Sequence, residues 1–446
     1  MTPEPTASRL APWRRLVDVR PPELVPLLVG VAYYFFLLSG YYVLRPIRET
    51  FGITWGTGNL PWLFYGTVGV MLLINPVYSR LVARLPRSRA IPLVHHTLVA
   101  LLLGFYAGVK LLDDPASQTA LKYAFYIFIS VFNLFIVSIF WSLMSDLFDR
   151  DQARRLYGPL AVGGSLGALA GSLLTGNLAG VLGTENLIPI SCVLLELAVA
   201  CALVFNRRFA PSGAAPAAAP LEASAGPRPD EALGGSAFGG MRAVLRSPYL
   251  LGIGGYLLLY GLSSTFAYFF QAGVVSAASA EDDARTRIFA NIDFYTNAVT
   301  LLLQGFVFAR LLRWFGPVFL LVLLPLYSAA GFALLSAGVI PAGELLLAFG
   351  VFQVLRRAIG YGLKKPAQEL LFTAVSPEEK YKAKNLIDLT FSRAGDMVGA
   401  KASGMIEAAQ LGLLALAGAA APVSLLWGLV GVALGLGYRR RLREGS

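Results

Sequence analysis

Two cysteines and two histidines are all that the 446 residues hold of either type. Cys192 and Cys201 share one apolar stretch and read as small buried hydrophobes, which excludes a disulfide framework. His95 and His96 are adjacent, with no cysteine or acidic residue at ligand spacing, so neither a metal site nor a cofactor is expected. Charge is scarce as well, at 14% of residues. No Walker A loop, G-x-S-x-G elbow or H-E-x-x-H pair occurs. ATP hydrolysis and metal-assisted hydrolysis therefore have no visible apparatus, and an enzyme is not expected.

What is abundant is apolar: 56% of the chain is hydrophobic and its mean hydropathy is +0.63. Apolar runs fall at 24–44, 60–80, 90–111, 122–145, 157–182 and 187–205, then at 248–275, 289–309, 317–340, 342–360, 391–411 and 416–437. A bilayer core takes roughly 20 residues of helix to cross, so these runs predict about twelve spans. The 46 glycines and 26 prolines are tolerable in helices packed against one another within a membrane. The expected organisation is a six-helix bundle over 1–205, a flexible linker over 206–247 and a second six-helix bundle over 248–446. The linker is Ala-, Pro-, Gly- and Ser-rich and has little to bury; its stretch 239–246 could form a short surface helix.

The net charge of +11 would suit nucleic acid, but its placement argues against that partner. Basic residues gather in alternate loops. One side would carry Arg80, Arg84, Arg87 and Arg89, then Arg150, Arg154 and Arg155, and later Lys364, Lys365, Lys380, Lys382 and Lys384. The opposite loops carry Lys110 and Lys122 beside Asp113 and Asp114, and Arg285 and Arg287 beside Glu281, Asp282 and Asp283. This asymmetry is the positive-inside pattern, and it predicts both termini on the cytoplasmic side. Arg9, Arg14, Arg15 and Arg20 lead into the first run without an Ala-x-Ala site, so the lead reads as a cytoplasmic tail.

Charges within apolar runs are costly in lipid and normally face a cavity, a partner or the headgroups. Arg45 and Arg48 stand three apart at the end of the first run and can leave one side of a helix. Two readings are open: they bind a phosphate or carboxylate through forked hydrogen bonds, or they snorkel to the interface. Glu49 could neutralise Arg48 in an empty cavity. The eleventh run and its approach hold Asp388, Arg393, Asp396, Lys401 and Glu407, too many charges for a lipid-facing helix, so a cavity-lining face or an interfacial helix is expected there. Glu196 and Asp293 are isolated carboxylates that could carry a proton, pair across a cavity or sit at an interface. Tyr33, Tyr34, Tyr41, Tyr42, Asn75, Asn133, Gln271, Asn291, Tyr295, Asn297, Gln304 and Gln353 add polar or aromatic groups that read mostly as packing or interfacial residues.

Small residues recur every fourth position at Gly163, Gly167 and Gly171, and again at Gly395, Gly399 and Ser403. Such steps let helix backbones approach closely. The loop DLFDRDQARRLYGPLAVGGSLG leads into the fifth run much as SPEEKYKAKNLIDLTFSRAG leads into the eleventh. A parallel duplication of six spans would produce this, and so would positive-inside bias alone.

The segment ELVPLLVGVAYYFFLLSGYYVLRPIRETFGI, 23–53, resembles the first-span signature of the ATP/ADP translocase family, nucleotide exchangers of intracellular bacteria and plastids. The matching positions are Leu44-Arg45 and Arg48-Glu49, and KYKAKNLIDLTFSRAG resembles that family's entry to the eleventh helix. The family usually has lysine where Arg48 stands, and a basic residue where Asp396 stands. The resemblance implies an all-α, polytopic, major-facilitator-like fold of about twelve transmembrane helices in a 6+6 arrangement. It also implies transport of a small anionic solute, ATP/ADP among the candidates, by a monomer in a bacterial inner membrane. Arg45, Arg48, Glu49, Arg393 and Lys401 are then expected to bind the solute, with Glu196, Asp293, Asp388 and Asp396 as coupling or cavity groups. The rival expectations are a major-facilitator carrier of another metabolite or drug, with or without proton coupling, and a membrane receptor or scaffold that transports nothing.

Overall fold

The computed structural model describes residues 19–54, 56–84, 87–209, 244, 247–375, 384 and 387–444. Most of the expected linker and its surface helix lie outside these residues. Among the described residues the chain is helical and contains no strand. The first half supplies α1 (Leu24–Ile53), α2 (Leu60–Arg84), α3 (Arg87–Leu111), α4 (Pro115–Leu147), α5 (Arg150–Leu182) and α6 (Leu187–Arg208). The second supplies α7 (Pro248–Ala278), α8 (Asp282–Leu302), α9 (Phe308–Ser336), α10 (Ala342–Ile359), α11 (Lys365–Leu371), α12 (Ser392–Ala408) and α13 (Gly412–Glu444).

Local chemistry sets the ends. Asp114 caps α4 by accepting from the Ser117 amide at 2.9 Å, and Asp149 with Gln152 forms a reciprocal capping box on α5. The bends are equally local. α8 passes through a π-helical turn, Leu303–Val307, into α9, which breaks at Gly316 before Pro317. Gly316 has φ 76°, open to a residue without Cβ. A second π turn, Gly360–Lys364, joins α10 to α11, and a third, Ile387–Phe391, opens α12. Counted between bends, the described residues form twelve rods, six before position 210 and six after position 247.

Among the described residues, eight helical stretches are long and apolar enough to cross a bilayer, and one of them, Asp282–Ser336, has 55 residues, enough for two crossings. The rods that miss this measure include α10, which carries Glu344, Arg356 and Arg357, and α12, which carries Arg393, Asp396, Lys401 and Glu407. Large apolar side chains such as Leu73, Val181, Leu347 and Leu429 are exposed on the outside of the bundle. In water such surface is a liability; against lipid it is the expected exterior.

The two glycine stripes have equivalent places. Gly163 and Gly171 of α5 face the carbonyl oxygens of Val31 and Ser39 on α1, and Gly167 faces that of Phe35. Gly395 of α12 faces the carbonyl of Leu258 on α7, and Gly399 faces Thr265. First against fifth rod, and seventh against eleventh, each half is built around the same close crossing. A Cβ on Gly167 or Gly395 would collide with backbone, so these positions are set by packing.

Three apolar cores follow. One fills the first half around Tyr33, Phe51, Phe132 and Phe140, and another fills the second around Tyr256, Leu321 and Trp427. The third joins the halves, mixing Leu60, Leu63 and Tyr126 with Phe266, Phe270 and Phe349. α5 and α1 pack on α8, and α2 packs on α12, so the central space lies between the halves.

Candidate functional site

That space is a cavity of about 140 Å³ whose wall comes from α1, α7, α8, α9 and α10 and the π turn that follows α10. Its charged members are Arg45 and Glu49 of α1, Asp293 of α8, and Arg356 and Arg357 of α10. Arg45 Nη1 lies 3.1 Å from Asp293 Oδ1, and Arg357 Nη1 lies 2.8 Å from the same oxygen. Asp293 is thus a buried carboxylate held by one guanidinium from each half. Burial of a charge is tolerable in this form, because the pair supplies both countercharge and hydrogen bonds.

Arg48 lies beside this cavity. It pairs with Glu49, reaches Ser130 Oγ at 3.4 Å and sits 5.2 Å above the Tyr126 ring. The Tyr268 hydroxyl donates to the other Glu49 oxygen at 2.5 Å and stands 2.9 Å from the Tyr126 hydroxyl, tying α1, α4 and α7 together.

Arg356 differs from the rest. Its Nε donates to Ser328 Oγ at 3.1 Å, and its Nη2 to Ser263 and Ser264 Oγ at 3.3 and 3.2 Å. No described carboxylate lies within ion-pair distance of it. One turn earlier, Gln353 donates to Gln271 Oε1 at 2.8 Å. One turn later, Tyr361 lines the cavity at the π turn, and Lys364 at the end of that turn lies 3.5 Å from the Tyr260 ring centre. Mid-helix π turns recur at functional sites.

The structure brings Arg45, Glu49 and Asp293 together with Arg48 adjoining. It does not add Arg393 and Lys401, so the expected convergence of four cations is absent from this conformation. Arg393 pairs with Asp396 at 3.3 Å, and Asp396 turns to Thr265 on α7 at 3.4 Å. Lys401 is exposed. The physical reason is the glycine face of α12: Gly395 and Gly399 occupy the side against α7 and turn Lys401 away. Asp388 accepts from Gln368 at 3.3 Å near the start of α12, away from the cavity. Glu196 pairs with His96 at 3.0 Å on an exposed face of α3 and α6.

Arg356 and Arg357 were missed by the sequence reading, although two adjacent arginines inside the run 342–360 were the available signal. They are the second half's cations in the cavity.

Beyond the cavity, toward the ends of α1 and α7, polar contacts knit the halves. Thr50 and Thr286 hydroxyls are 2.7 Å apart, and Lys122 reaches Asp282 at 2.8 Å. Thr184 donates to Asp283 through its amide at 2.6 Å and its hydroxyl at 2.7 Å, and Thr57 bonds Glu407. Every one of these joins a residue before position 206 to one after 247. The molecule is closed at this end.

Solved structures of like shape decide the architecture. The chain superposes on the nucleoside transporter NupG with a TM-score of 0.62 at 14% identity, covering 92% of this chain and 98% of that one. This is a major-facilitator fold. An auto-inhibited peptide transporter of the POT family matches the same fold with a TM-score of 0.60 at 12% identity, covering 93% and 96%. A bacterial homologue of the human lysosomal transporter Spinster, in an inward-facing and unoccupied conformation, matches at 0.54 and 14%, covering 96% and 98%. No protein-family profile and no curated protein matches the sequence. The major-facilitator fold accounts for the paired crossings, the contact of α5 with α8 and of α2 with α12, and the cavity between the halves. The chain is a multi-pass helical membrane protein.

Proposed function

We propose that this protein is a secondary transporter that moves a small anionic solute by alternating access. The observation that carries the reading is the cavity between the halves, where buried and partly buried guanidiniums outnumber carboxylates. With Arg48 included, four arginines meet Glu49 and Asp293, and Arg356 has hydroxyl partners only. An anion entering there supplies the missing charge in a low-dielectric site, and forked guanidiniums suit carboxylate and phosphate. Arg45, Arg356 and Arg357 bind it, Glu49 sets the position of Arg48, and Asp293 is the resident anion that the solute rivals.

The positive-inside distribution supports a cytoplasmic start for α1, which makes the closed end external. Separation of the Thr50–Thr286 and Thr184–Asp283 contacts then opens the cavity to the other side. Nucleotide exchange of the ATP/ADP kind is the special case suggested by the residues around Arg45 and Glu49. The cavity of about 140 Å³ is small beside the roughly 300–1,000 Å³ of drug-sized sites, which favours a smaller solute.

Proton coupling is a second reading, favoured by Asp293. Counterflow in proteoliposomes tests both readings with labelled carboxylates, phosphates and nucleotides, run with and without a pH gradient. Saturable uptake of an anion supports transport, and acceleration by an inward proton gradient adds coupling. Uptake of neutral solutes alone would remove the anion reading.

A further inference from the structure

Gln353 and Arg356 stand three residues apart on α10, so their side chains leave one side of the helix. Both line the cavity, and both are 4% exposed. Each has bonding capacity left over. The three serines around Arg356 offer dipoles, which hold the guanidinium in place without cancelling its charge. Gln353 spends its amide nitrogen on Gln271, and its Oε1 finds no donor among the described residues. A buried acceptor without a donor is unfavourable, and native proteins keep few of them.

These are two independent vacancies one helical turn apart: a cation that lacks an anion and an acceptor that lacks a donor. Resting on the transport reading above, we infer that the solute carries an O–H or N–H group beside its anionic group, the anion meeting Arg356 and the donor meeting Gln353 Oε1. The class is a small oxyanion with a neighbouring donor, either a hydroxy- or amino-carboxylate or the phosphate ester of a polyol. A ligand of the same charge without the donor leaves Gln353 unpaired. A ligand with a carbonyl in that position sets oxygen against oxygen. Sites built to bond a ligand hydroxyl reject the analogue lacking it far more strongly than apolar pockets reject a missing methylene.

Isothermal titration of the purified full-length protein in detergent tests this with two matched sets. The carboxylate set is 2-hydroxyglutarate, 2-oxoglutarate and glutarate; the phosphate set is glycerol 3-phosphate and propyl phosphate. The hydroxylated member of at least one set binds about tenfold or more tightly than its unsubstituted partner, and the keto acid gains nothing. Gln353→Leu removes most of that difference while glutarate or propyl phosphate still binds, and Arg356→Gln weakens every member of the set. If wild-type protein binds the members of each set alike, or prefers the keto acid, the inference is overturned while the transport reading stands. If no anion of either set binds, the inference fails; if in addition no carboxylate, phosphate or nucleotide is taken up by proteoliposomes, the transport reading itself fails. The wild-type comparison needs no variant, so a poorly folding substitution does not remove the test.

Discussion

Asp293 of α8 and Arg45 of α1 come from opposite halves of the chain and meet at 3.1 Å inside the central cavity. The pair cannot survive a change in the relation of the halves unless both helices move together. Arg357 holds the same oxygen at 2.8 Å, so Asp293 balances one charge on each side of the future opening.

Asp293→Asn leaves two partly buried guanidiniums without their shared, buried anion. Removing one partner of a buried pair costs about 3–5 kcal/mol. The thermal midpoint in detergent should fall accordingly, and the double variant Asp293→Asn with Arg357→Gln should recover part of the loss. An unaltered midpoint in the single variant would show that the carboxylate is not holding these helices.

The closed end offers a lock. Thr50 and Thr286 hydroxyls lie 2.7 Å apart, and a disulfide needs Cβ atoms about 3.5–4.5 Å apart. Thr50→Cys with Thr286→Cys should cross-link on oxidation, stop uptake, and regain it on reduction. Full transport by the cross-linked form would mean that this end never opens.

Packing makes a separate prediction. Gly167→Val and Gly395→Val place a side chain against the carbonyls of Phe35 and Leu258, and overpacking of this sort costs about 1–3 kcal/mol or more. Both variants should lose folded protein on size exclusion, whereas Gly350→Ala, with no neighbour within 4 Å, should not. Equal behaviour of the three would deny the two stripes their role.

Among the cations, Arg356→Gln should depress anion uptake at least tenfold more than Lys401→Gln, since one lines the cavity and the other is exposed. This ranking is read from initial uptake rates at matched protein levels. A larger loss at Lys401 would restore the eleventh rod to the solute path.

The twelve rods were legible because lipid demands long apolar helices, and even the break at Gly316–Pro317 coincided with a gap between runs. Arg45 and Glu49 were legible for the same reason: charge at the end of an apolar run needs a place to go. What periodicity could not give was which way α12 faces. Arg393, Asp396 and Lys401 looked like one cavity face, but the close approach required by Gly395 and Gly399 against α7 fixes the helix rotation instead. Arg356 and Arg357 were hidden by sitting near the end of an apolar run, where arginines also mark a headgroup boundary.

Alternating access around this cavity is tested most directly by spin-label distances across the closed end. Labels at Asp113 and Ala280, exposed positions on the two halves, report it in lipid bilayers. A transported anion should change the balance between two distances, a shorter one for the closed end and a longer one for the open end, and the Thr50–Thr286 cross-link should abolish the longer one. A single distance, unmoved by a solute that the protein demonstrably carries, would contradict the mechanism.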